Sequence, residues 1–245
     1  MTSQPRTPDQ LPVGTAATSA PAAEHDSLVL TAKYLPIVAP FIAKSDTRYY
    51  LTGINVRPLA AGGVIIAGCN GHVLGVFHDP AGVCATEVTL AVSNELLTAC
   101  AGGINTDRTV EMRARRLTVL DKCGTEIYIQ AGNPVINPAE PYPRFEKVIP
   151  VEKDISPGLL GCVNAMLLTK LNTAAAAARR ALDMRKCFRS HHGVTFFNAG
   201  PQGDTKTIAR LDFSPNFLAV VMPLRPEGDI SKALPAWLQA ERGAA

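Results

Sequence analysis

Residues 142–150 read Tyr142-Pro143-Arg144-Phe145-Glu146-Lys147-Val148-Ile149-Pro150. They close a connection, residues 133–150, that holds five prolines. Proline fixes φ and lacks an N–H, so a run this dense continues neither a helix nor a central strand. Connections of this kind mark domain boundaries. The expected division is a lobe over residues 27–150, a second over 151–226, and tails at 1–26 and 227–245.

Upstream of the boundary the pattern is strand-rich. Residues 1–26 are Pro-, Ala-, Ser- and Thr-rich with few large apolar side chains, which predicts a disordered tail. Residues 27–30 begin a strand, and Leu35, Val38 and Ile42 recur at helical spacing within 34–44. Pro36 suits a first turn but Pro40 does not suit an interior one, so that helix is expected to be short and distorted. Residues 49–56, 63–68, 72–77 and 87–92 read as further strands. Ser93 is the predicted N-cap of a short helix reaching Ala101, ended by Gly102-Gly103. Residues 109–120 alternate as one strand, with Val110, Met112 and Ala114 on one face and Glu111, Arg113 and Arg115 on the other. A turn at 122–124 leads into a strand at 126–130.

Downstream, residues 159–186 carry the strongest helix signal in the chain. Leu159, Val163, Met166, Leu167, Leu171, Ala174 and Ala178 recur at three- and four-residue steps, and the run 174–178 is all alanine. Lys170 interrupts the apolar stripe unless its ammonium snorkels out. Residues 193–198 and 209–224 read as strands, and Leu234, Trp237 and Leu238 suggest one amphipathic turn in the final tail.

Composition narrows the function classes. The chain has 245 residues, 47% of them hydrophobic, and a net charge of +3, too small to imply nucleic-acid binding without a local patch. No apolar run is long enough for a membrane span and no secretory signal is visible. The six cysteines form no CxxC pair, so reduced, mostly buried thiols and a cytoplasmic location are expected. Phosphate-loop, dinucleotide, HExxH and GxSxG motifs are absent. Cys69 with His72, and His191-His192 after Cys187, supply no second ligand pair for a metal. The expectation is a protein that is not an enzyme and needs no cofactor.

Four short segments carry a resemblance. Asp46-Thr47-Arg48-Tyr49-Tyr50-Leu51-Thr52-Gly53 is similar to the D-x-R-Y-Y-L-x-G, Cys69-Asn70-Gly71-His72-Val73-Leu74 to the T-D-G-H-R-L, the 142–150 stretch to the F-P-D-Y-R-R-V-I-P, and Val220-Val221-Met222-Pro223-Leu224-Arg225 to the closing V-V-M-P-M-R of one family. Phe188-Arg189 and Gly193-Val194 also resemble its K-F-R-G-V strand. Taken in order and spacing, residues 27–225 resemble the middle and last domains of the bacterial DNA polymerase III β sliding clamp family. Nothing resembles that family's first domain, the last domain is shortened, and Asn70 and Val73 replace the aspartate and arginine of the second segment.

The resemblance implies an α+β fold of DNA-clamp-like domains, curved antiparallel sheets with helices on one face. It implies a processivity or recruitment factor for DNA replication or repair that docks partner peptides in an interdomain cleft. Carried over, that cleft is lined by Leu51, Cys69, Gly71, His72, Val73, Leu74, Pro143, Lys147, Val148, Met222, Pro223, Leu224 and Arg225. Lys147 and Arg225 would hold a peptide carboxylate or backbone at its rim. Ordinary strand-end core residues would have the same composition. Implied partners are double-stranded DNA, a DNA polymerase or other protein with a clamp-binding motif, a clamp loader, and further copies of the chain. Arg179, Arg180, Arg185, Lys186 and Arg189 are the candidate DNA-phosphate contacts; a solvated helix end favoured by the dipole is the plainer reading. Arg113, Arg115 and Arg116 read as an exposed strand face. The alternative function is a clamp-like peptide-binding module that does not encircle DNA.

Overall fold

The computed structural model describes residues 27–101, 107–136, 141–149, 155–157, 163–182, 193–199 and 206–223. Both expected tails, Cys162, Arg185, Lys186, Cys187, Arg189, Leu224 and Arg225 lie outside them.

Fourteen strands form two antiparallel sheets among the described residues. The five-stranded sheet runs β5 (Val83–Cys84), β1 (Leu28–Thr31), β7 (Thr109–Arg113), β8 (Arg116–Leu120), β9 (Glu126–Ile129). The nine-stranded sheet runs β10 (Val135–Ile136), β6 (Val88–Leu90), β2 (Ile54–Pro58), β3 (Val64–Cys69), β4 (Val73–Asp79), β14 (Ser214–Val221), β13 (Lys206–Leu211), β12 (Val194–Ala199), β11 (Ile155–Pro157). Its seam is the β4–β14 pair, from Val73 opposite Val221 to Phe77 opposite Phe217, which joins residues on either side of the proline-rich connection.

Three α-helices, α1 (Leu35–Val38), α2 (Asn94–Ala101) and α3 (Ala165–Ala181), meet the inner faces of these sheets. The expected distortion of the first is present. A 3-10 turn at Ala32–Tyr34 and another at Ala39–Phe41 flank α1, and Pro36 and Pro40 each stand near the start of a short helical segment. That is where a missing N–H is tolerated. Ser93 Oγ accepts from Leu96 N at 3.1 Å at the start of α2. Asn164 caps α3, its side chain accepting from Met166 N. The alanines of α3 matter for packing: Ala174, Ala175, Ala177 and Ala178 are buried, and these short side chains let α3 lie directly against α1. Lys170 resolves as a snorkelling side chain whose Nζ donates to the Pro40 carbonyl.

A gap in side chains lets the helical layer rest on the large sheet. Gly68 and Gly75 face each other across β3 and β4. A Cβ on Gly75 would lie 2.3 Å from Cδ2 of Phe41, and one on Gly68 2.9 Å from the Val38 carbonyl oxygen. The inner core built this way includes Leu28, Leu30, Ile37, Phe41, Phe77, Leu171, Phe217 and Val221, and so spans both expected lobes.

Three strand readings are corrected. Residues 109–120 are two strands, joined by a two-residue loop at Ala114 and Arg115 with φ of 48 and 61. A primed hairpin loop needs positive φ, which Gly or Asn signals and Ala-Arg conceals. Residues 209–224 likewise fold back, with Leu211 opposite Ser214. Tyr49–Thr52 is a 3-10 turn, and the strand begins at Ile54. Helix α3 ends at Ala181, with Leu182 as its C-cap.

Candidate functional site: an apolar notch on the outer face of the seam

Alternation along β3, β4 and β14 gives the large sheet two apolar faces. Val64, Ile66, Val73, Phe77, Phe217, Ala219 and Val221 point to the helices. Ile65, Ala67, Cys69, Leu74, Val76, Leu218 and Val220 point the other way. A strand buried on both faces needs a second cover, and residues 141–149 supply it. Tyr142 and Phe145 are 5% and 4% exposed in the outer cluster. The Tyr142 ring meets Tyr50 edge-on, centroids 6.2 Å apart, and the Arg57 guanidinium lies 4.1 Å from the centre of the Phe145 ring. Burying two such aromatic side chains contributes about 2 kcal/mol each.

The cover does not close completely. A cavity of about 160 Å³ remains between it and the turn before β4. Its walls include Cys69, Gly71, His72, Val73 and Leu74 from the turn and strand, Tyr142, Pro143, Phe145 and Val148 from the cover, and Lys206, Val220 and Met222 from β13 and the end of β14.

The turn is built to hold its shape. Gly71 has φ of 85, a conformation disfavoured for a residue with a Cβ. Asn70 Oδ1 accepts from His72 N at 3.1 Å and Val73 N at 2.9 Å. Met222 N donates to the His72 carbonyl at 3.0 Å, which ties the end of β14 to the turn. Asp46 accepts from the backbone N, Nε and Nη2 of Arg48, and the Arg48 guanidinium lies over Gly71. Hydrogen bonds from the Arg48 side chain, then its backbone, hold the Asp46 carboxyl below its usual range. Burial pushes the Cys69 thiol and the Tyr142 phenol up, so both are neutral at pH 7. The cavity therefore has an apolar floor and neutral polar groups in its wall, with Lys206 among its lining side chains and the exposed Arg48 over Gly71. Such a notch takes an apolar anchor side chain.

Of the residues nominated from sequence, Cys69, Gly71, His72, Val73, Leu74, Pro143, Val148 and Met222 share this cavity. Leu51 is buried in the outer cluster and does not line it. Lys147 is exposed, and Pro223 is the last residue described before the tail. Tyr142, Phe145, Lys206 and Val220 were not nominated; the strict alternation of Val220 with Val221 was the available signal for one of them.

Of the candidate DNA contacts, Arg180 is exposed near the C-terminal end of α3. Arg179 is half-buried with its Nε shielded from solvent. Arg113, Arg115 and Arg116 are exposed, with Arg113 paired to Glu111 and Arg116 to Glu126. Among the described residues no group of three or more His, Cys, Asp or Glu could hold a metal, and no helix is long and apolar enough to cross a membrane.

The architecture defines an α+β protein of clamp-like domains, antiparallel sheets with helices on one face. Solved structures of bacterial sliding clamps are similar to it. The DNA polymerase III subunit beta clamp from Bartonella birtlesii, bound to griselimycin, has a TM-score of 0.56 at 15% identity, over 89% of this chain and 68% of that one. The sliding clamp from Pseudomonas aeruginosa has a TM-score of 0.57 at 12% identity, over 86% of this chain and 70% of that one. A Borrelia burgdorferi DNA polymerase III subunit beta, in complex with a natural product, has a TM-score of 0.52 at 11% identity, over 82% of this chain and 63% of that one. No protein-family model and no curated protein sequence matches the chain.

Proposed function

We propose that the chain is a sliding-clamp-like accessory protein of DNA replication or repair. It associates with DNA without sequence specificity and docks partner peptides in the outer notch. One observation carries the reading: in a clamp-like fold, an apolar cavity opens beside the seam where residues from both sides of the proline-rich connection pair. Residues 27–150 then act as one lobe and 151–226 as a shortened second one. Partners present leucine and phenylalanine anchors to the floor made by Leu74, Val148 and Met222, while Lys147 and Arg225 steer the peptide backbone or a carboxylate. Arg179, Arg180, Arg185, Lys186 and Arg189 supply non-specific phosphate contacts. The protein works as a scaffold, not as an enzyme.

The test is a fluorescence-anisotropy titration of the full chain with a labelled clamp-binding peptide carrying Leu and Phe. Affinity on the order of micromolar is expected, about −8 kcal/mol. Met222→Ala weakens it by about 1–3 kcal/mol. Met222 is the cleaner variant, because Leu74 is 3% exposed and also holds the sheet together. Absence of binding by the unmutated chain refutes the docking function. Mass in solution and retention on circular DNA, measured on the same preparation, decide whether the scaffold encircles DNA or only docks peptides.

A further inference from the structure

The outer notch holds two polar groups whose protons find no acceptor among the described residues. Lys206 opens β13, one residue before Thr207, which pairs with Val221, and it lines the cavity together with Met222. It is half-buried and makes no hydrogen bond or ion pair with a described residue. The exposed lining of the cavity is mainly apolar, and no Asp or Glu is among the described residues that form it. The second group is the Tyr142 hydroxyl. Tyr142 is 5% exposed, and the Cys69 backbone N–H approaches its oxygen, but no acceptor for its own proton lies within reach among the described residues. A buried phenol that donates to nothing destabilises the empty chain. The segment that residues 142–150 resemble begins with phenylalanine, so the fold does not require a hydroxyl there.

One ammonium in the wall of an apolar notch favours a ligand that brings a negative charge beside an apolar body, because charge complementarity decides which anchor is accepted. The cavity measures about 160 Å³, and a cavity of about 150 Å³ takes one benzene-sized group. A single side chain therefore fills it, and the negative charge has to sit close to that same residue. A chain terminus meets this demand, since its last residue carries the apolar side chain and the carboxylate on one Cα. We propose that the notch takes the C-terminal residue of a partner protein, its apolar side chain on the floor and its carboxylate paired with Lys206. The Tyr142 hydroxyl is shielded from water in the empty notch. Seating the terminus shifts the wall beside it and gives its proton an acceptor in the same carboxylate. The assignment rests on peptide docking at the notch; it adds which end of the partner enters and which residue selects it.

The test uses the full chain and three peptides labelled at the N-terminus, followed by anisotropy. All share one Leu- and Phe-containing sequence. The first ends in leucine with a free carboxylate, the second in the same leucine as an amide, and the third is the amide with Asp placed before that leucine. The parent chain is expected to prefer the free acid to the amide by about tenfold, the worth of one charge-assisted hydrogen bond. The Asp-containing amide should bind like the plain amide. Lys206→Gln removes most of the preference, Lys206→Arg keeps it and Tyr142→Phe reduces it. Urea unfolding of each variant shows that the chain is folded, and Tyr142→Phe should be at least as stable as the parent, since it loses only an unpaired hydroxyl. A fall in its stability, or an unchanged preference, would remove the hydroxyl from the site. The proposal is overturned if the parent binds acid and amide alike, if the preference survives Lys206→Gln, or if the Asp-containing amide binds as tightly as the acid. Equal binding of all three peptides refutes this inference and leaves docking standing, whereas binding of none refutes both.

Discussion

Replacing Gly75 by Ala tests how the helical layer meets the large sheet. Gly75 lies in β4 opposite Ala219 of β14, on the seam. Its φ is not among the positive ones, so Ala is allowed by the backbone. On that ground alone the change would stabilise by about 0.4–1 kcal/mol, because the unfolded chain loses freedom. The structure opposes this. The new methyl would lie 2.3 Å from Cδ2 and 2.6 Å from Cε2 and Cγ of Phe41. Phe41 is fully buried and backed by Phe217, ring centres 6.0 Å apart, so it has nowhere to retreat. Overpacking of this kind costs about 1–3 kcal/mol. The net expectation is a destabilisation of roughly 1–2 kcal/mol after subtracting the backbone gain, or a Tm lower by roughly 2–8 °C for a chain of this size. Urea unfolding of the parent, Gly75→Ala, Phe41→Leu and the double variant gives the coupling. The double variant should be more stable than the sum of the single effects predicts, by about 0.5 kcal/mol or more. A neutral or stabilising Gly75→Ala, or strict additivity with Phe41→Leu, would refute the packing described.

Asp79→Ala removes a fully buried carboxylate that accepts from Thr31 N, Thr31 Oγ1 and Ala81 N. Stranding these donors should cost about 3 kcal/mol in urea unfolding, and a cost near zero would contradict the bonding. Thiol labelling at pH 8, read peptide by peptide in a mass spectrometer, should modify the exposed Cys123 quickly. Burial pushes Cys84 up to about 11 and Cys100 up to about 12, so both stay protonated below those values and label only as the chain opens. Equal rates for Cys100 and Cys123 would contradict this. Asn164→Ala should destabilise by about 1 kcal/mol through loss of the α3 cap, with no change in peptide docking.

Local rules carried the parts of the fold that depend on neighbouring residues. Ser93 before the apolar pattern of α2, the two prolines that interrupt 32–41, and the stripe of α3 each translate directly into backbone behaviour. The hairpin at Ala114 and Arg115 did not, because its turn chemistry is atypical and the alternation runs on through it. Tyr49 and Tyr50 carry high strand propensity, yet Tyr50 is used as an aromatic wall for Tyr142 from a 3-10 turn. The seam was out of reach of any pattern, since β4 and β14 pair across more than a hundred residues of sequence. The same holds for Lys170. Its place in an apolar stripe was legible as an anomaly, but the Pro40 carbonyl that accepts its hydrogen bond and the nearby Lys44 were not. The notch was approached through the 142–150 and 69–74 segments. Lys206 joined it only through the register of β13 with β14, which no local pattern specifies.

The most direct measurement is a methyl spectrum of the chain labelled at methionine, recorded during titration with the Leu- and Phe-containing peptide. Met222 lines the notch, Met112 is buried in the inner core, and Met166 is exposed on α3. The Met222 methyl is expected to shift and saturate while Met112 and Met166 stay in place. No movement of Met222, or an equal movement of Met166, would contradict docking at the notch.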